Sequence, residues 1–311
     1  MKLIHFAALL LLGAIWGASF SFINVAISEL HPLFLMFVRV FFAGLVLASV
    51  AFFNQRRRGQ KIALRLKANW RQYLLVGLLN CALPFTFIAF SELSITVSLA
   101  AILNSTTPLF TALMAALWAN EKLNGRKLTG LLLGVAGVII LVDGGPLALD
   151  GETAVGITAS LLGALCYGAG AVYAARHMSH LPALFASMVQ LLSAAVILAI
   201  PAAFTVPVTV PGTAVLLSLL ALSLLSTCLA YLIFYCLLQN VGASRTTSVT
   251  FLVPVFGTLW GTLFFREPLS LGMLLGLITI LASVGLVTGL KPGNPTPQSA
   301  ALVAKATQNS I

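Results

Sequence analysis

Unbroken apolar runs of about twenty residues constrain this chain more than anything else in it. The first, residues 4–27, contains no acid, lysine or arginine. At 1.5 Å of rise per residue, about twenty helical residues cross the ~30 Å hydrocarbon core of a bilayer. Within lipid the backbone must satisfy its own hydrogen bonds, which leaves helices or a closed barrel. Barrel strands alternate in polarity over ~10 residues, and these runs do not alternate. The fold expected is an all-α polytopic membrane protein. Composition agrees, since 60% of the 311 residues are hydrophobic and 8% charged, against about 25% charged in soluble domains. That balance excludes a soluble enzyme, a disordered chain and a nucleic-acid-binding module, despite a net charge of +10.

Apolar windows between charged and turn-forming residues give ten spans, near 4–27, 33–53, 70–90, 97–119, 125–142, 154–175, 182–201, 212–237, 244–265 and 269–289. Pro32, Pro182, Gly212 and Pro268 punctuate their starts. Residues 290–311, with Pro292, Pro295 and Pro297, are expected to be a disordered cytoplasmic tail. The run at the N-terminus lacks a clear A-x-A cleavage site and is read as a retained span.

The basic residues orient the array. With the N-terminus inside, the inner segments hold Lys2, seven residues between Arg56 and Arg71, Lys122, Arg126, Lys127, Arg176, Arg245, Lys291 and Lys305, 15 of the 17 Lys and Arg. Arg266 alone falls outside, and Arg39 lies within span two. Basic loops stay in the cytoplasm, so both termini are expected there, in the inner (plasma) membrane of the cell. The 56–71 cluster has nucleic acid as a competing partner, but attraction to anionic inner-leaflet lipid suits it better.

The chain also repeats itself. A shift of 146 places Ser98 on Ser244, Pro108 on Pro254, Phe110 on Phe256, Glu121 on Glu267, Leu123 on Leu269 and Gly130 on Gly276. A shift of 150 places residues 11–14 on 161–164 and Pro32 on Pro182. Each half, 4–142 and 154–289, holds five spans. Because five is odd, the second half enters the membrane inverted, the framework of alternating access in carriers.

The segments WGASFSF at 16–22, FVRVFFAGL at 37–45, and the paired blocks from Ser98 to Gly130 and Ser244 to Gly276 resemble the EamA domain, twice over. That is the drug/metabolite transporter superfamily, and within it the chain looks most like YddG-type exporters of aromatic and other amino acids. The resemblance implies a basket of ten helices with a central cavity, small-molecule export by alternating access, no cofactor, no covalent chemistry and no obligate protein partner. Nucleotide-sugar or phosphorylated-metabolite carriage is the alternative within the same superfamily.

Polar side chains are costly inside lipid unless they face a cavity or partner, so they are the site candidates. Arg39, the one charge within a span, could meet a substrate carboxylate or hold helix ends together. Asn104, Ser105, Thr106 and Thr107 precede Pro108, and Thr246, Thr247, Ser248 and Thr250 precede Pro254. Such proline-broken polar patches either hold substrate or bond back to their own helices. Asn80, one turn before Pro84, is similar. Trp16, Phe85, Tyr167, Tyr173, Tyr231, Tyr235 and Trp260 fall within spans rather than only at the interfaces, and Tyr231 and Tyr235 share a helical face. Together they suit a zwitterion with an apolar side chain, while for any single ring lipid-facing or core packing is the simpler reading. Glu121 and Glu267, with Pro108 and Pro254, are gating candidates, the two carboxylates being expected to cap the helices they precede. No acid lies inside a span, so no buried carboxylate relay is expected.

The four cysteines are read as small core residues, with no metal or disulfide role. A membrane-embedded enzyme would need a nucleophile with a base, or a metal set, at membrane depth. His5, His31, His177 and His180 lie near span ends, and neither HExxH nor G-x-S-x-G occurs.

Overall fold

The computed structural model describes residues 3–56, 69–119, 121, 123–143, 150–179 and 181–289. The expected tail at 290–311 and most of the 56–71 basic cluster lie outside these. Among the described residues, ten helices are long and apolar enough to span a membrane: α1 Leu3–Ala26, α2 Pro32–Phe53, α3 Trp70–Ser91, α4 Val97–Trp118, α5 Gly125–Val142, α6 Gly151–His177, α7 Ala183–Ala203, α8 Thr213–Val241, α9 Arg245–Phe265 and α10 Leu271–Thr288. Every expected span is present. Pro32 opens α2, and Pro182 and Gly212 occupy the cap positions of α7 and α8, where a missing or unpaired N–H costs nothing.

The helices pair as the repeat demands. If the halves exchange places, α1 becomes α6, α2 becomes α7, and so on. The α2–α7 and α5–α10 pairs map onto themselves, α1–α9 maps onto α6–α4, and α2–α8 maps onto α7–α3; all of these pack together. One crossing shows why. A Cβ on Gly17 of α1 would sit 2.8 Å from Gly257 N and 2.7 Å from Phe256 Cβ of α9, and a Cβ on Gly168 of α6 would sit 2.7 Å from Thr111 N of α4. Phe256 and Phe110 are repeat equivalents, so the same backbone-to-backbone approach recurs in each half. Leucine, isoleucine and phenylalanine side chains such as Leu132, Ile139, Ile200, Leu263 and Phe264 point outward, as a lipid-facing surface requires.

Four helices are irregular, in equivalent pairs. In α3 the turns Leu78–Ala82 widen to π-helix, with Leu83 N–H donating five residues back to Leu78 O. Pro84 has no N–H for Asn80 O and its ring crowds that carbonyl, which the wider turn relieves. In α8 the stretch Ala221–Leu229 is also π-helical, with Ala230 N–H reaching Leu225 O. No proline acts there. Instead the Thr227 hydroxyl donates to Leu222 O at 2.8 Å and Ser223 to Leu219 O at 2.9 Å, feeding carbonyls that the wider turn misaligns. α4 is interrupted at Ser105–Thr106 and α9 at Ser248.

The two ends of the bundle differ. On the face opposite the N-terminus, Glu29 accepts from Gly212 N at 2.7 Å, and Glu267 accepts from Val97 N and Ser98 N at 2.8 and 3.0 Å. Both contacts tie one half to the other. On the N-terminal face, Glu121 takes Lys127 Nζ at 3.1 Å within its own half. The carboxylates thus do not cap the helices they precede. Asn124 Oδ1 caps α5 by accepting from Lys127 N, and Ser270 caps α10 by accepting from Met273 N. The cause at Glu267 is local: Arg266 adopts the left-handed conformation, φ 54°, and turns the chain away from α10 toward the start of α4. Gly261 leaves room for the carboxylate, since a Cβ there would collide with it.

Candidate functional site

The irregular turns of α8 and α3 pack against α2 and α7, respectively, and carry polar side chains of the bundle. Arg39 of α2 is 5% exposed. Its Nε donates to Thr227 Oγ1 of α8 at 3.0 Å, and its guanidinium lies 4.1 Å from the centroid of the Phe85 ring. A buried cation over an aromatic face is held by the ring quadrupole at little dehydration cost to the ring. Tyr167, Tyr231, Cys81 and Glu92 lie within its electrostatic reach. Nη1 approaches Met36 Sδ at 4.0 Å, and Nη2 donates to no acceptor among the described residues. That end of the fork is free for a ligand.

A second polar pair mirrors the first. Asn80 Nδ2 of α3 donates to Gln190 Oε1 of α7 at 3.5 Å. The shift of 150 takes Arg39 to Val189, beside Gln190, and the shift of 146 takes Asn80 to Ser226, beside Thr227. The α2–α8 bond and the α7–α3 bond are the same contact made in each half, one residue apart. From Gln190 the network continues. Gln190 Nε2 donates to Ser187 Oγ at 3.4 Å, the Ser187 and Tyr235 hydroxyls share a hydrogen bond, and Tyr235 stacks on Tyr231 with centroids 6.2 Å apart. The Cys81 thiol and the Tyr231 hydroxyl lie within electrostatic reach of each other. Phe85 meets Tyr167 edge-on at 6.1 Å.

A cleft of about 240 Å³ reaches this network from the N-terminal face, lined by Val76, Ala174, Met178, Leu181, Ala186, Gln190 and Tyr235 among others. The arrangement offers one free cationic fork, hydroxyl and amide groups that both donate and accept, and four aromatic rings. It can hold a small carboxylate by charge and a flat or apolar group by contact.

Of the residues expected from sequence, Arg39, Asn80, Phe85, Tyr167, Tyr231 and Tyr235 are brought together here. Trp16 stands apart, 5.6 Å from the Phe234 ring in the packing between α1 and α8. Trp260 donates its indole N–H to Ala14 O at 3.1 Å, and Tyr173 stacks on His177. Ser105, Thr106 and Thr107 donate to Ile102, Leu103 and Asn104 carbonyls, closing the break in α4. Ser248 and Thr250 do the same for Arg245 and Thr247 in α9. Asn104 Oδ1 is buried and receives no donor among the described residues. Pro108 and Pro254 sit just beyond the two breaks, Pro254 buried.

Sequence reasoning missed Cys81, Ser187, Gln190 and Thr227. Gln190, the only glutamine of α7, was findable by the same census that found Arg39. Two expectations are corrected. Cys236 is exposed rather than part of the core. Glu92, one residue past α3, is 4% exposed: a carboxyl is buried after all, by the turn that follows its helix rather than by a span.

Comparison with known proteins gives a consistent picture. The EamA-like transporter family matches residues 3–143 and again 154–289. The uncharacterized transporter YvbV of Bacillus subtilis is 30% identical over 88% of this chain and 87% of its own length. The uncharacterized inner membrane transporter YedA of Escherichia coli K12 is 30% identical over 91% of this chain and 90% of its own. A probable amino-acid metabolite efflux pump of Escherichia coli K12 is 26% identical over 91% and 94%. A crystal structure of 20% identity superposes with a TM-score of 0.62 over 93% of this chain and 97% of that one, a likeness of fold.

Proposed function

The chain belongs to the EamA-like transporter family, a multi-pass protein of the inner membrane, and from that premise we propose that it exports neutral and aromatic amino acids by alternating access. The observation that carries this is Arg39: it is the only buried basic side chain among the described residues, and one end of its fork is unspent. One fork matches one carboxylate. The hydroxyls of Tyr231, Tyr235 and Ser187 and the Gln190 amide can accept from an ammonium, and Phe85 and Tyr167 offer faces to a side chain. We take the N-terminal face as cytoplasmic, from the 15 basic residues on that side, so that the cleft loads from within the cell.

A nucleotide sugar or sugar phosphate fits less well. It brings two or more negative charges to a single arginine. The efflux pump among the relatives supports the amino-acid reading by its name alone.

The experiment is counterflow in liposomes with leucine, phenylalanine, glutamate and glucose 6-phosphate. Leucine and phenylalanine are expected to exchange above empty vesicles and Arg39→Ala to abolish it. Exchange of the phosphate ester with none of the amino acids would overturn the proposal.

A further inference from the structure

Glu92 ends α3 on the face opposite the N-terminus. Its side chain is 4% exposed, and neither carboxylate oxygen has a donor within hydrogen-bond distance among the described residues. Four other acids on that face are spent or solvated: Glu29 on Gly212 N, Glu267 on Val97 N and Ser98 N, Asp150 on Thr153 N, and Glu152 exposed. Glu92 is the exception, and it is the one most deeply buried.

We propose that Glu92 is a proton-binding site of the opposite face, which takes up a proton as that face closes and gives it up when the face opens. A carboxylate ion without water or donors is far less stable than the neutral acid. The groups around it do not change that. Burial pushes the Glu92 carboxyl well above the ordinary carboxylate range, the charge of Glu267 adds to the push, and the Arg39 guanidinium opposes both without reversing them. From α6, Gly156 packs against Ser91 O and Ser94, but the acids at its start, Asp150 and Glu152, are exposed. On the α2 side, His31 is an exposed ring edge-on to Phe90 at 5.6 Å.

The consequence follows by linkage. The closed face requires the proton, because the Glu267 clasp on α4 holds Glu92 away from water. Once the face opens, water returns and Glu92 becomes an ordinary glutamate with a pKa of about 4.3. Between that value and the higher one of the closed state, each unit of rising pH shifts the balance about tenfold toward open. Acid outside therefore shuts the opposite face. This holds whatever solute the protein carries.

Two measurements on the full chain in lipid nanodiscs test it, and neither needs a substrate. Infrared spectra near pH 7 are expected to show the carbonyl band of a protonated carboxyl, lost in Glu92→Gln and kept in a variant of the exposed Glu152, Glu152→Gln. Hydrogen exchange of peptides covering 92–99 and 266–270, corrected for the intrinsic rate, is expected to accelerate up to about tenfold per pH unit in the wild-type protein and to be independent of pH in Glu92→Gln. A wild-type titration with no such band or with flat protection overturns the proposal, even if the variant does not fold. So does a band lost with Glu152→Gln, or a Glu92→Gln variant that keeps the wild-type pH dependence.

Discussion

At the scale of single residues, the central site turns on how one guanidinium is held. Thr227 Oγ1 accepts a hydrogen bond from Arg39 Nε while its own hydroxyl donates to Leu222 O, so one threonine fixes both the arginine and the wide turn. Thr227→Val keeps the shape and removes both bonds. A hydrogen bond to a charged group is worth about 1.5–3 kcal/mol. The expected result is a rise in the half-saturating leucine concentration of about ten- to a hundredfold in counterflow, with folding intact by thermal unfolding in detergent. Arg39 was legible in the sequence because a lone charge in an apolar run stands out. Thr227 was not, because serines and threonines are common in these helices and most bond to their own backbone, as Ser105 and Ser248 do. Which hydroxyl escapes that fate depends on the partner helix, which no single span encodes.

At the scale of elements, the widened turns decide where side chains point. A π turn adds a residue without adding length, so Asn80 and Thr227 are rotated inward relative to a regular helix. Gly170 of α6 is what lets the α3 turn fit: a Cβ there would strike Asn80 Oδ1 and lie 3.1 Å from Leu79 C. Gly170→Ala is expected to displace Asn80, to cost about 1–3 kcal/mol of stability by overpacking, and to lower exchange more than Gly168→Ser lowers it per degree of lost melting temperature. Ten spans and their limits were readable because hydropathy integrates over a whole helix; the end of α8 at Val241 rather than 237 is the largest difference. The widened turns were not readable. Pro84 hinted at one, but the α8 turn has no proline, and its wide hydrogen bonding is enforced by serine and threonine donors in packing that only the folded bundle provides.

At the scale of the whole molecule, the cleft opens at one end and the carboxylate ties close the other. Ala186, half-buried in the cleft wall, lies one turn from Gln190. In a Cys236→Ser background, Ala186→Cys is expected to react with a charged thiol reagent applied from the N-terminal side and to be shielded by phenylalanine. Reaction equally fast from both sides would contradict the closed end. The repeat in the sequence foretold two matching halves, and the helix pairing bears that symmetry out. What it could not foretell is the asymmetry: Glu267 grips the other half while Glu121, its equivalent, grips only Lys127. Two copies of one plan are caught in unlike postures. A substitution in one copy and the corresponding substitution in the other therefore act with opposite sign on the same balance, so Glu267→Ala and Glu121→Ala combined are expected to offset each other in conformational preference, while their losses in stability add.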